Sequence, residues 1–267
     1  LEYWLIYGAL GAFVGFIAGL LGIGGGGVIV PVLVMVFGMR GVPHEHVMHI
    51  ALATAMACIV FTSVSSFREH HARGAVDWRI FRRITPGIIL GSLLGSYIAT
   101  LLPTNVLKII FATFLLYVAI QLLIDRKPKP SRQLPGTAGM LSAGAFIGAV
   151  SALVGIGGAA LAIPFMIWSN VAMRSAIGTS SAIGFPIAIA SVLGYIASGW
   201  RVAGLPAPHF GYVYLPALLG ITLFSLFTVP LGVRMSHRLP IATLKKVWSV
   251  FLFLLSSEMI YSVWKHS

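Results

Sequence analysis

The stretch Gly22-Ile23-Gly24-Gly25-Gly26-Gly27-Val28-Ile29-Val30-Pro31 returns later in the chain as Gly155-Ile156-Gly157-Gly158-Ala159-Ala160-Leu161-Ala162-Ile163-Pro164. The offset is constant at 133 (155−22, 164−31). In each copy a glycine cluster, which breaks helix, precedes an apolar run, residues 28–37 or 159–168. Such a run, at about 1.5 Å per residue, reaches roughly half of a bilayer core of about 30 Å. Backbone broken at membrane depth is tolerated only where protein or a water-filled cavity covers it.

Outward from these two breaks the chain is apolar nearly throughout. Its 267 residues are 58% hydrophobic and 9% charged, with a mean hydropathy of +0.96. A soluble domain carries about a quarter charged residues, so the composition predicts an all-α polytopic membrane protein. Long apolar segments are expected at residues 3–21, 45–66, 84–102, 105–124, 138–154, 175–198, 212–231 and 241–263. The start of the chain does not read as a removable signal peptide, so insertion is expected to rest on these internal segments. Cys58 is the single cysteine, which excludes an intrachain disulfide and a cysteine-built metal site.

The match between halves extends beyond the breaks. Gly11-Ala12-Phe13 returns as Gly144-Ala145-Phe146, again offset by 133 (144−11), and Ala53-Thr54 pairs with Gly178-Thr179 at 125 (179−54). Pro86 pairs with Pro216, Met39-Arg40 with Met173-Arg174, and Leu102-Pro103 with Leu239-Pro240. Identities along such a path argue for duplication. The expected layout is one transporter domain over residues 1–267, with repeats 1–125 and 138–267 joined by a cytoplasmic linker, 126–137. Each repeat holds one glycine-broken half-helix element of re-entrant type plus three spanning helices.

The net charge of +12 would suggest nucleic acid in a soluble protein. Here the basic residues crowd between apolar runs, in residues 67–83 and 125–137, where they report orientation instead. With both loops cytoplasmic, fourteen of the 18 Lys and Arg fall inside, leaving Arg40, Lys108, Arg201 and Lys265 outside, and both termini face outward. Residues 67–83 then lie inside while their counterpart, 199–211, lies outside, so the repeats are inverted. Inverted repeats with broken helices at matching positions mark secondary transporters, with substrate near the midplane.

Only six Asp and Glu serve the whole chain, and Glu258 is the one inside a long apolar segment. A carboxylate-built cation site is therefore disfavoured, and neither metal nor cofactor is expected. Donors are what the membrane interior offers: the N–H groups of Gly24, Gly25, Gly26, Gly157 and Gly158 at the starts of the half-helices, and the hydroxyls of Thr54, Thr179, Ser180 and Ser181. A helix N-terminus attracts anions through unpaired N–H groups and its dipole, so the expected cargo is an anion. Close helix packing at the glycines and back-bonding of the hydroxyls to their own helix are the plainer readings of the same residues.

Further candidates sit around this core. His49, near His44, Glu45 and His46, titrates near neutrality and is a candidate for a proton-linked gate, as is Glu258. Pro31 and Pro164 kink or cap the half-helices. Arg40 and Arg174, repeat mates at opposite mouths, attract an anion or anchor helix ends by snorkelling.

The glycine cluster Gly22 to Gly26, the run His70-His71-Ala72-Arg73-Gly74-Ala75-Val76-Asp77-Trp78, and the second copy from Gly155 to Pro164 with Ile177-Gly178-Thr179-Ser180 together resemble the sulfite exporter TauE/SafE family over essentially the whole chain. The resemblance implies a bacterial inner-membrane protein exporting sulfite, sulfoacetate or a related sulfur-containing anion. It also implies that Gly24, Gly25, Gly157, Gly158, Thr54, Thr179 and Ser180 occupy motif positions. One departure is Ala55 after Thr54, where the family often has serine. The lipid bilayer and a small anion are the expected partners, with a homo-oligomer compatible. An anion channel would use the same donors without alternate closure. An intramembrane enzyme would need a nucleophile and base, or a metal triad, and no Gly-x-Ser-x-Gly or His-Glu-x-x-His pattern occurs.

Overall fold

The structure is a computed structural model that describes residues 2–21, 25–124, 132–235 and 241–265. Gly24, residues 126–131 of the linker, and Arg238 lie outside the described residues. Among the described residues ten helices run in chain order: α1 (Glu2–Leu21), α2 (Gly26–Met39), α3 (His44–Ala72), α4 (Trp78–Leu101), α5 (Thr104–Ile124), α6 (Thr137–Val154), α7 (Ala159–Trp168), α8 (Met173–Gly199), α9 (Leu215–Met235) and α10 (Ile241–Lys265). A two-residue antiparallel pair, β1 (His209–Phe210) with β2 (Val213–Tyr214), leads into α9.

Among the described residues six helices are long and apolar enough to cross a membrane: α3, α4, α5, α6, α8 and the Leu215–Gly232 part of α9. The expected spans in α1 and α10 contribute shorter apolar stretches, Tyr3–Gly19 and Trp248–Trp264. The 67–83 segment, expected as a loop, is mostly helix. α3 runs on to Ala72, Gly74 turns the chain at φ +65°, and α4 starts at Trp78. The early start follows from Asp77, whose carboxylate accepts the N–H groups of Arg79 (2.9 Å) and Ile80 (3.1 Å), a side-chain N-cap.

Small residues set the packing. α4 lies parallel to α6, and a Cβ at Gly87, Gly91 or Gly95 would collide with the carbonyl oxygen of Leu141, Ala145 or Ala149 respectively. α1 lies parallel to α9 in the same manner, with Gly11 against Ile221 and Gly15 against Ser225. Lipid tails are as apolar as leucine, so close backbone approach along a small-xxx-small seam replaces the hydrophobic drive that a soluble bundle would have. α5 and α10 are instead antiparallel: Ser249 donates to Ala119 O (2.6 Å) and Ser256 to Ala112 O (2.8 Å). α3 and α8 pack on each other at the centre and are the most buried of the spanning helices.

Candidate substrate site

The two glycine breaks meet. A Cβ on Gly26 would collide with Gly155 O and stand 3.1 Å from Ile59 Cδ1. Gly25 is the N-cap of α2 and Gly158, at φ +77°, the N-cap of α7. Gly25 O accepts from Val28 and Ile29, and Gly158 O from Leu161 and Ala162. The N–H groups of Gly26, Gly27, Ala159 and Ala160 thus belong to first turns, where a helix provides no acceptor of its own. Pro31 and Pro164 are each the sixth residue of their helix, and a proline there removes the bond to the carbonyl four residues back.

Beside this meeting point lies a cavity of about 20 Å³ lined by Thr62, Ser63, Ser66, Gly157, Ser180 and Ser181, with Ala18, Ile59 and Gly184. The volume admits roughly one water, so the helices around it are closed on anything the size of an oxyanion. The hydroxyls are held on their own helices: Ser63 donates to Val60 O (3.0 Å), Ser180 to Ile177 O (2.9 Å) and Ser181 to Ile177 O (3.0 Å). Such a hydroxyl swings to a ligand at small cost, because the carbonyl it leaves is also an acceptor in the helical ladder. A second cavity of the same size, apolar, is lined by Gly25, Gly27, Ile156, Ala160 and Trp248.

Of the expected site residues, Gly157, Ser180 and Ser181 line the hydroxyl cavity, and Gly25, Gly26 and Gly158 frame the break beside it. Thr54 and Thr179 do not line it. Both are fully buried, and each accepts a backbone N–H at the start of another helix: Tyr214 N to Thr54 Oγ1 at 3.0 Å, Asp77 N to Thr179 Oγ1 at 2.9 Å. Thr62, Ser63 and Ser66 were not anticipated. Their spacing of three and four residues puts three small hydroxyls on one face of an apolar helix, and that signal was present in the sequence.

The outer candidates are scattered. Arg40 donates to Tyr214 Oη and its guanidinium lies 5.0 Å from the ring centres of both Tyr3 and Tyr214. Arg174 donates to Arg73 O at 2.8 Å, where it caps the end of α3. Glu258 lies on α10 with Oε2 buried and without a hydrogen bond, in electrostatic reach of buried Lys108 on α5. Among the described residues no group of three or more His, Cys, Asp or Glu is placed to hold a metal ion.

Spanning helices sealed by glycine seams, with buried breaks at their centre, define a multi-pass helical membrane protein of the transporter class. The chain belongs to the sulfite exporter TauE/SafE family, whose profile matches residues 7–259. It is 36% identical to a probable membrane transporter protein of Haemophilus influenzae over 94% of this chain and 95% of that one. It is 26% identical to the probable membrane transporter protein YdhB of Bacillus subtilis, over 89% and 91%. A probable membrane transporter protein of Methanocaldococcus jannaschii is also 26% identical, over 86% and 85%. No solved structure matches the chain.

Proposed function

We propose that this transporter exports sulfite or a small organosulfonate across a bacterial inner membrane by alternating access. The anion is held between the two half-helix starts and the hydroxyls of Thr62, Ser63, Ser66, Ser180 and Ser181. The observation that carries this reading is the contact of Gly26 with Gly155 beside a cavity lined by hydroxyls. Uncharged donors suit a cargo that must be bound and then released. Export needs no other energy source, since an inside-negative potential drives each negative charge outward by about 2.3 kcal/mol per 100 mV.

The inverted-repeat reading has independent support. The matched segments α5 and α10 run antiparallel, and their two hydrogen bonds exchange under one offset, 137 (249−112, 256−119). The α4–α6 seam corresponds in the same way to the α1–α9 seam. Repeats so related exchange roles when one mouth closes and the other opens. The basic bias puts both termini outside. Thr54 and Thr179 position the central helices in this scheme.

The test is efflux of radiolabelled sulfite and sulfoacetate from proteoliposomes under an imposed potential. Saturable efflux is expected, reduced several-fold by Ser63→Ala combined with Ser181→Ala in a protein that still elutes as a folded species. No flux of either anion would remove sulfur anions as substrates. Non-saturating flux would replace the carrier with a channel.

A further inference from the structure

The first turns of α3 carry His44, Glu45, His46 and His49, and with Thr104, Asn105 and Tyr212 they line an open vestibule of about 680 Å³. His49 is its buried side, 5% exposed. Its Nδ1 lies 3.0 Å from Glu45 O, and its Nε2 lies 3.2 Å from Ala99 O and 3.1 Å from Leu102 O. All three partners are carbonyl oxygens, which only accept. A neutral imidazole has one N–H and one lone pair, so either tautomer would set a nitrogen lone pair against a carbonyl oxygen. The imidazolium donates from both nitrogens and meets every partner.

Two features of the surroundings favour a cation there. Ala99 and Leu102 supply carbonyls at the end of α4, the negative pole of that helix, where a positive charge is stabilised. The ring of Tyr212 stacks on the imidazole at 5.4 Å between centres, a face that attracts cations. A second tie, Thr104 Oγ1 to Glu45 O at 2.7 Å, fastens the same corner to the same helix start.

We infer that His49 is a proton-binding site of the vestibule, whose imidazolium latches the α4–α5 corner onto the start of α3. Imidazole takes one proton from vestibule water to close the latch. Returning that proton leaves a lone pair facing a carbonyl, and the corner is released. The charged and titratable groups around it are few. α3 itself brings Glu45 and His46, paired at 3.3 Å, and His44, whose Nε2 meets Asn105 Oδ1 at 3.0 Å. The segment before α9 brings Tyr212, the ring that stacks on the imidazole. Coupling of this proton to anion movement rests on the transport reading above, whereas the proton site itself does not.

The experiment has two arms. In the first, protein with 15N-labelled histidine in nanodiscs is followed by NMR from about pH 5 to pH 9, a range that brackets histidine titration. His49 is assigned by the signal missing in His49→Gln. Two protonated ring nitrogens at the acid end of the range and one at the alkaline end are expected. A single N–H at every pH, or two N–H groups at every pH, overturns the site. In the second arm, efflux of sulfoacetate, whose charge is constant over this range, is measured at zero potential with an imposed pH gradient. Wild-type flux responds by up to about tenfold per pH unit, the limit for one proton, and His49→Gln loses the response while keeping potential-driven flux. A His49→Gln protein that keeps the pH response overturns the coupling. If that variant does not fold, His49→Arg, a permanent cation for the same carbonyls, is expected to fold and to carry flux insensitive to pH. An Arg variant still responding to pH also overturns the coupling. Absence of all wild-type flux refutes the substrate reading, and the NMR arm still decides the proton site.

Discussion

At the start of α9 the N–H of Tyr214 is received by Thr54, and at the start of α4 the N–H of Asp77 is received by Thr179. The two threonines fall in the paired stretches Ala53-Thr54 and Gly178-Thr179, and each partner is the residue immediately before its helix. What surrounds each anchor differs. Beside Thr179 the connection is short, residues 73–77, and polar caps finish it: the Asp77 carboxylate on α4 and the Arg174 guanidinium on the end of α3. Beside Thr54 the connection is residues 200–214, Tyr214 packs edge-on against Tyr7 and Phe37, and Arg40 bonds its hydroxyl. The histidine-bearing turns of α3 and the vestibule belong to this end as well. The two helix starts thus share one kind of anchor, a buried threonine hydroxyl, but not the groups that finish it.

The comparison can be broken most severely at the centre. Gly26→Val drives a side chain into Gly155 O and is expected to yield no monodisperse protein on size exclusion, since neither backbone can retreat without moving the start of α2 or the end of α6. Next are the anchors. Thr54→Val leaves the buried N–H of Tyr214, and Thr179→Val the part-buried N–H of Asp77, without this acceptor, a cost of up to about 1–3 kcal/mol. Equal losses in denaturant unfolding in detergent support equivalent roles. A loss confined to one end would show that the match is one of sequence alone.

Smaller changes sharpen the difference between the ends. Asp77→Ala removes a side-chain cap, at about 1 kcal/mol, and is expected to fray the start of α4, read as faster hydrogen exchange at Arg79 and Ile80. Exchange at the start of α9, which Tyr214 opens without a side-chain cap of this kind, should be unchanged. The smallest effect is expected from Arg174→Ala, a few tenths of a kcal/mol at an exposed cap, and a loss as large as that of Thr179→Val would contradict the capping role.

Much of the architecture was legible because bilayer thickness turns length and apolarity into helix boundaries. Four of the six strongest spans fall within a few residues of the expected bounds, and the breaks at Gly25 and Gly158 fall where glycine made helix costly. The exceptions are α3, which runs on to Ala72 instead of ending at residue 66, and α4, which starts at Trp78 instead of residue 84. Its first turns are arginine-rich and were read as loop, although Asp77 was available as a cap.

The site was less legible. Composition alone pointed to hydroxyls and glycine N–H groups as the donors within the membrane, and to Ser180, Ser181 and Gly157 among them. Which hydroxyls face one another was decided by the tertiary structure: Thr54 and Thr179 turn toward the starts of α9 and α4, while Thr62, Ser63 and Ser66 turn toward Ser180 and Ser181. In a helix apolar on every side, periodicity marks no inner face, so the direction of a small polar side chain is set only by the neighbour that arrives from far along the chain. The same holds for His49, whose three carbonyl partners include two from α4, 50 and 53 residues away.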